Sequence, residues 1–482
     1  MNLGELNPSN VWKIFDQITK VPRPSKHEEH IREYLINFAA SHSIECKCDE
    51  IGNVVMRIPA SKGMEEAPAV ILQAHMDMVC EKNSAIDFDF RKDAIRTKVE
   101  DGWVKAEGTT LGADDGIGIA LALAVLTSQD VKHGPLEALF TVDEETGLTG
   151  AFALGKDMIH GKYLINLDSE DEGEICIGCA GGIDTVATME YTLEEVPATF
   201  EFLRISVSKL QGGHSGDDIN KGRANAVKIL SYILWQLLLK GIKLCDIQAG
   251  NLRNAIPREG YAVIAVPKEN VDAVKEIVKE AQKQAYSVFS SIEPSLSIEC
   301  ERTLKHDSAL PHKNTSALLM ALLGVQNDVV RMSAAIEGLV ETSTNLASVK
   351  VVEPGKIVVA TSQRSSVEGA KKYIASQVEA IFKLAGMDVK HSDGYPGWTP
   401  IPTSSLVKVM RESYCRLYGK EPLVRAIHAG LECGLFLTMY PELEMASIGP
   451  TMRGVHSPDE RLEIKTVAQL WEYLSDILAS LK

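Results

Sequence analysis

The sequence predicts an α/β domain with a largely parallel sheet, interrupted by an inserted α+β domain. Three observations carry this. Up to Gly181, apolar runs of strand length alternate with helical stretches. Beyond it the strand-like runs lengthen and are separated by longer helices. Past the turn-rich stretch from Asp393 to Pro402 the shorter helix and strand pattern returns. The expected boundaries are 1–181 with 396–482 for the first domain and 182–395 for the insertion.

The chain opens on two amphipathic helices. Val11, Ile14, Phe15 and Ile18 line one face of the first, and Ile31, Tyr34, Leu35 and Phe38 one face of the second. Pro22 and Pro24 separate them, and Ser25 with Glu28 three residues on reads as a capping-box start. Strand-length runs follow at Ala69 to Ala74, Leu136 to Val142 and Tyr163 to Leu167, with helix over Asp115 to Thr127 and a short helix near Gly150 to Leu154. In the insertion, runs at Thr199 to Ser208, Gly260 to Val266, Ser295 to Cys300 and Lys356 to Thr361 alternate with helices at Gly222 to Leu239 and Val271 to Phe289. Leu238 and Leu239 read as core. The chain closes on a helix from Ser404 to Tyr418, a strand from Glu444 to Gly449 and a helix from Lys465 to Leu481. Cys176-Ile177-Gly178-Cys179 has redox spacing but no second pair and lies on a strand, so packing explains it. His27 and His30 read as a solvated helix face.

Composition narrows the function before any motif does. With 45% hydrophobic and 24% charged residues the chain is globular, which excludes disorder and collagen. A net charge of −16 repels phosphate backbones and anionic lipid, so neither nucleic acid nor membrane is expected as a partner. Cations and small zwitterions suit it better. The 9 cysteines are sparse, odd in number and irregularly spaced, which points to a reducing compartment. No apolar stretch has signal-peptide or bilayer-spanning length near Met1 or elsewhere, so the cytoplasm is the expected location.

Four acidic or histidine clusters fall at or just beyond the carboxyl ends of the first-domain strands, where an open α/β sheet forms its ligand crevice. The strand ending at Ala74 runs into His75 and Asp77, which period two puts on one side, so the carboxylate can orient the imidazole for a metal. Gly112-Ala113-Asp114-Asp115-Gly116 opens a helix with a small-residue turn that lets carboxylates approach a cation; alone, its aspartates could simply be helix caps. Asp143-Glu144-Glu145 ends a buried strand, where adjacent glutamates must be solvated, paired or bound to metal. Asp168 ends the next. Two zinc-class ions need a further histidine, and the turn holding Gly454, His456 and Glu460 offers His456. If His456 joins the same site, the chain between it and Asp168 is too long to be a loop and must contain a domain.

With these clusters, and with Val21-Pro22-Arg23-Pro24-Ser25, Gly212-Gly213-His214-Ser215-Gly216, Asn254-Ala255-Ile256-Pro257 and His428-Ala429-Gly430-Leu431-Glu432-Cys433-Gly434, the chain resembles the di-zinc aminopeptidase and deacylase superfamily of carboxypeptidase G, peptidase T and carnosinase. The resemblance covers essentially the whole chain. It implies a discontinuous three-layer αβα catalytic domain with an inserted α+β lid, holding two Zn2+ per chain, with Co2+ or Mn2+ as substitutes. His75 and Asp168 would bind one zinc, Glu145 and His456 the other, and Asp114 would bridge them. Asp77 would orient His75, and Glu144 would be the general base. A water between the two ions would lose a proton to Glu144, which returns it to the leaving amine. The same resemblance makes Asp114–Asp115 the peptide bond expected to be cis.

Within the insertion, the resemblance makes His214, in its glycine turn, a donor to the oxyanion, and Arg364, just past the strand at Lys356 to Thr361, a clamp for the substrate's terminal carboxylate. Asn254 and Gly430 would make lesser contacts to that end. Taken alone, His214 is a solvent-exposed turn histidine and Arg364 a surface salt bridge. The implied activity is hydrolysis of unblocked dipeptides, carnosine-like substrates with carboxyl-terminal histidine included, so the expected partner is a small peptide. A tripeptidase or an N-acyl amino acid deacylase on the same scaffold is the alternative. A non-catalytic zinc-dependent peptide-binding protein would require loss of the Glu144 base. The lid histidine could cross over in a homodimer or be supplied within one chain by a doubled lid.

Overall fold

The computed structural model describes residues 3–482, which divide into two compact units. One gathers the chain up to Gly178 with Trp398–Ala426 and Leu431–Lys482; the other is Cys179–Gly397 with Ile427–Gly430. The segment Ile427–Gly430, expected with 396–482, groups instead with the second unit. Its backbone and side chains explain why: Ala180 N donates to Ala429 O (2.9 Å), and His428 Nε2 lies 2.7 Å from Ser343 Oγ.

The first unit is built on an eight-stranded sheet in the order Glu45–Cys48, Val54–Ile58, Leu136–Thr141, Val70–His75, Tyr163–Asn166, Glu444–Ser447, Glu174–Cys179, Leu423–Ile427. Its centre, from Leu136–Thr141 to Glu444–Ser447, is parallel, whereas the pairings of Glu45–Cys48, Val54–Ile58 and Glu174–Cys179 are antiparallel. The sheet is therefore mixed rather than largely parallel, because the short link between the first two strands permits only a hairpin. Every residue of Val70–His75, Leu136–Thr141 and Tyr163–Asn166 is buried, so both faces of the centre are covered and the unit has three layers. Helix Ala113–Thr127, apolar on all sides, packs between Val70–His75 and helix Ser9–Ile18.

The second unit carries an antiparallel nine-stranded sheet. Its strands run in the order Ser297–Arg302, Phe200–Ser208, Gly260–Pro267, Lys243–Ala249, Val340–Glu353, Lys356–Ser365, Gly181–Glu190, Asp388–His391, and Asp328–Met332 pairs with Val340–Glu353. Helices Ala226–Leu237, Val271–Phe289, His312–Gly324 and Glu368–Leu384 share a core with it, into which Val227, Leu230, Ile233, Leu234 and Leu237 are sunk. Among the described residues no helix is long and apolar enough to cross a membrane.

Three local expectations change. Leu238 is buried but Leu239 is 94% exposed, because the helix ends at Leu237 and a 3-10 turn over Leu238–Lys240 rotates Leu239 outward. Helix Glu29–Ser41 has no capping box. The Ser25 hydroxyl donates instead to Asp77 Oδ2 (2.6 Å), and Glu28 Oε1 accepts from the amides of Lys26 (2.7 Å) and Asp143 (3.1 Å). Arg364 lies inside strand Lys356–Ser365, paired with Ser343, and not past its end.

Candidate active site

In the first unit, His75, Asp114, Glu145, Asp168 and His456 converge beyond the ends of the parallel strands. His75 Nε2 lies 2.8 Å from Asp114 Oδ1 and 3.6 Å from Asp168 Oδ1. His456 Nε2 lies 3.1 Å from Asp114 Oδ2 and 3.0 Å from Glu145 Oε1. Asp114 thus divides its two oxygens between the two histidines, one on each side. Asp143 and His456 adopt left-handed backbone, φ 52° and 62°, where Asp and His are among the residues least disfavoured. The Asp114–Asp115 peptide is cis. Donor atoms of His75, Asp114 and Glu145 fall within 4.8 Å of one another, a spacing that suits a metal ion.

The electrostatics follow from burial and charge. Burial pushes the Asp168 carboxyl up, and burial with Glu432 and Glu145 nearby does the same to Glu144. Hydrogen bonds to Asp114 and Glu145 raise His456 to about 10. Burial alone would raise Asp77, yet contacts with His75, Ser25 and the Glu144 amide hold it at about 2. Asp77 Oδ1 lies 3.4 Å from His75 Nδ1, and its carboxylate also accepts from the amides of Glu144 (3.0 Å) and Glu145 (3.3 Å). It supports both the imidazole and the glutamate turn.

Sequence reasoning assigned no role to Arg23, Glu460 or Glu432, although all three lie in or beside the quoted motifs. Buried Arg23 donates through Nη1 to Met76 O (3.0 Å) and Asp77 O (2.6 Å), and through Nη2 to Gly112 O. Glu460 accepts from four successive amides, those of Leu111 (2.7 Å), Gly112 (3.0 Å), Ala113 (2.7 Å) and Asp114 (3.3 Å). Gly112 has φ 68°, and a Cβ there would collide with Arg23, so the turn presenting Asp114 needs glycine. A second acidic group, Glu28, Asp77 and Asp143, is engaged by protein donors: two amides on Glu28, and the hydroxyls of Thr146 and Thr149 on Asp143.

In the second unit, His214 sits in the short pairing of Gly213–His214 with Ala255–Ile256, its Nδ1 3.2 Å from the Asp217 amide and 3.1 Å from Asp217 Oδ2. Exposed Asn254 holds the turn through its carbonyl, which accepts from Ser215 N (2.8 Å). Arg364 is 7% exposed; its Nη1 donates to Tyr395 Oη (2.9 Å), and its Nε has no partner among the described residues. Gly430 lies against the Tyr395 ring, where a Cβ would come within 2.9 Å. His428, buried with Nδ1 unpartnered, is pushed down to about 4 by burial and then by Arg364. Tyr395 and His428 were both passed over in the sequence; His428 lay in a quoted motif, and no pattern marked Tyr395.

The model of Peptidase family M20/M25/M40 matches residues 71–480. The chain is 42% identical over 477 residues to the cytosol non-specific dipeptidase of Escherichia coli (strain K12), covering 99% of this chain and 98% of that one. Its fold is similar to the crystal structure of aminoacylhistidine dipeptidase from Vibrio alginolyticus, with a TM-score of 0.95 at 39% identity over 100% of this chain and 98% of that one. Aminopeptidase PepT from Bacillus cereus ATCC 10987 shares the fold, with a TM-score of 0.62 at 17% identity over 99% of this chain and 100% of that one. On this match, and with a relative similar over its full length, the chain belongs to peptidase family M20/M25/M40 and is a hydrolase of peptide bonds.

Proposed function

We propose that the chain is a metal-dependent dipeptidase that hydrolyses unblocked dipeptides, those with carboxyl-terminal histidine included, using two zinc-class ions and Glu144 as general base. The observation that carries the metal assignment is Asp114, whose two oxygens face different histidines, the geometry of a bridging carboxylate. Two imidazole nitrogens and three carboxylates make a nitrogen and oxygen donor set suited to zinc, with cobalt or manganese as substitutes. His75 and Asp168 would hold one ion, Glu145 and His456 the other. When bound, such ions supply Lewis acidity and ease deprotonation of water near neutral pH.

Glu144, its carboxyl pushed up by burial, takes the proton of the attacking water and returns it to the amine nitrogen as the peptide bond breaks. Asp77 fixes the His75 ring and, through two amides, the turn bearing Glu144 and Glu145. In the second unit, the planar fork of Arg364, with Nε unengaged, suits a free carboxylate. His214 as oxyanion donor, and Asn254 and Gly430 as lesser contacts, complete the proposal. The two relatives, a cytosol non-specific dipeptidase and an aminoacylhistidine dipeptidase by name, support this substrate class over a tripeptidase or deacylase. They and the charge of −16 also support a cytoplasmic protein whose partner is a small peptide and not nucleic acid or membrane. A homodimer is the assembly to check by light scattering.

The test is a panel of di- and tripeptides, with free and acetylated amino ends, on metal-reconstituted protein, together with elemental analysis. Dipeptides with free ends should be cleaved, and active protein should carry two ions per chain. Preference for tripeptides or acylated substrates, or activity with one ion or none, would overturn the corresponding part.

A further inference from the structure

The centre of the first unit's sheet contains polar side chains where a buried parallel sheet ordinarily packs Val, Ile and Leu. Thr141, Gln73, Asn166 and Ser447 lie on its four adjacent parallel strands, each at most 2% exposed, and Glu432, also 2% exposed, meets them from the turn after Gly430. Gln73 Nε2 and Thr141 Oγ1 both donate to Glu432 Oε2, each at 2.8 Å. Asn166 Nδ2 donates to Gln73 Oε1 (2.6 Å). Ser447 Oγ donates to Asn166 Oδ1, and Ser169 Oγ lies 2.7 Å from Ser447 Oγ. Asn166 Oδ1 also accepts from the amide of Asp168 (3.4 Å).

The belt has a direction. A carboxylate oxygen with two donors on it can only accept, so Gln73 must turn its NH2 toward Glu432 and its oxygen toward Asn166. Asn166 must then turn its NH2 toward Gln73, which leaves Oδ1 for Ser447 and the Asp168 amide. The Glu432 acceptor at one end and the donor-only Asp168 amide at the other thus set both amides in the same sense. Glu432 Oε1, which has no partner among the described residues, takes no part. The strands so tied are those that end in His75, in the turn of Glu144 and Glu145, and in Asp168: Gln73 precedes His75 by two residues, and Asn166 precedes Asp168 by two. Register seals the arrangement, with Gln73 opposite Asn166, Thr141 opposite His75 and Ser447 opposite Asn166.

We propose that Glu432 is a positioning residue: as the terminal acceptor of the belt Ser447–Asn166–Gln73–Glu432, it fixes the strand ends that present His75 and Asp168. This rests on the reading of those residues as metal ligands. Burying so many polar groups is costly unless they are satisfied; here every side-chain oxygen and nitrogen of the belt except Glu432 Oε1 has a partner, and such a network specifies one geometry where apolar packing would allow slippage.

The experiment adds Co2+ to the metal-free full-length protein and records affinity and visible absorption for the parent, Glu432→Met and Glu432→Gln. Glu432→Met leaves Gln73 Nε2 and Thr141 Oγ1 without their buried acceptor and loosens the belt at the strand that bears His75, so affinity should fall about 10-fold or more with altered absorption bands. With a dipeptide substrate, kcat should fall in that variant while KM stays within about 3-fold. Glu432→Gln, whose amide oxygen can replace Oε2, should keep the parent's affinity. Parent-like affinity and absorption in Glu432→Met would overturn the proposal. So would equal damage from Glu432→Gln, which would mean that charge matters and the acceptor does not. Should Glu432→Met not fold, Asn166→Leu breaks the belt at its middle, where the same loss is expected and parent-like binding refutes. If the parent cleaves no dipeptide, the functional reading fails while the cobalt titrations still decide the belt.

Discussion

Glu144 and Glu145 are adjacent and chemically identical, yet the structure gives them different surroundings. Both donate their amides to Asp77, but Glu145 Oε1 is 3.0 Å from His456 Nε2, close enough to share an ion with it, whereas the Glu144 carboxyl, pushed up by burial, is the one proposed as general base. Replacing Glu144 by Gln should therefore lower turnover by about 10²- to 10⁴-fold and leave metal content unchanged, and a variant with full turnover would place the base elsewhere. Arg364 offers a sharper test of substrate class. Arg364→Ala should weaken kcat/KM for a dipeptide by about 2 to 5 kcal/mol but cost much less for the dipeptide amide, which has no carboxylate to lose. Equal losses on both substrates would leave Arg364 a purely structural part. Nearby His428 gives a pH dependence. Its native value of about 4 lies below the usual 6.5, so between the two the unfolded chain binds a proton that the native state refuses. Its contribution is whole above pH 6.5 and is lost as pH falls toward 4, by at most about 3 kcal/mol. Urea unfolding at both ends of that window should show this loss in the parent and much less in His428→Gln; equal slopes would rule His428 out as the source.

Elements differ in how well their ends and interiors can be read. Half-buried Lys228, on helix Ala226–Leu237, sends Nζ to the last carbonyls of helix His312–Gly324 and beyond: Leu322 O (2.8 Å), Leu323 O (3.0 Å) and Val325 O. A cation on orphan carbonyls at a helix C-terminus is stabilising, and here it also ties two helices together. Lys228→Met should cost about 1 to 3 kcal/mol in urea unfolding, and a change under about 0.5 would show the cap to be idle. The long helix Val271–Phe289 was legible to the residue, because its apolar spacing is set by one buried face. Strand Val340–Glu353 was not. Its buried Thr342, Ser343, Thr344 and Asn345 are polar side chains hydrogen-bonded to Ser365, His428, Gln363 and the Ala255 carbonyl, and so carry no apolar signal. The strand ends bearing His75, the Glu144–Glu145 pair and Asp168 were legible because chemistry replaces apolarity there abruptly. Glu460 and Arg23 stayed hidden because their partners are backbone groups remote in sequence; Glu460 reaches an amide 349 positions away. Ser25 and Glu28 misled because their partners too are remote in sequence, the Asp77 carboxylate and the Asp143 amide, so a local capping pattern is diverted to them.

At the scale of the whole molecule, the two units divide the chemistry unequally. His75, Asp114, Glu145, Asp168 and His456 all belong to the first, although His456 follows the inserted segment in sequence, and the second has a hydrophobic core of its own. A ligand that binds only the native first unit stabilises that unit by mass action, by about 4 kcal/mol at a thousandfold excess over Kd. For a unit of this size that corresponds to roughly 10 °C in Tm. Five converging donors, three of them carboxylates crowded together, make the same unit the one expected to lose most on metal removal. Calorimetry of the full-length protein should then show two transitions, of which chelation lowers one by roughly 10 °C and leaves the other in place, and restored zinc reverses the shift. A substitution in the second unit, Lys228→Met, should move the transition that chelation spares, which assigns the two independently of metal. Equal displacement of both transitions by chelator, or a single one throughout, would mean that the units unfold together and that the metal's contribution is spread over the whole chain.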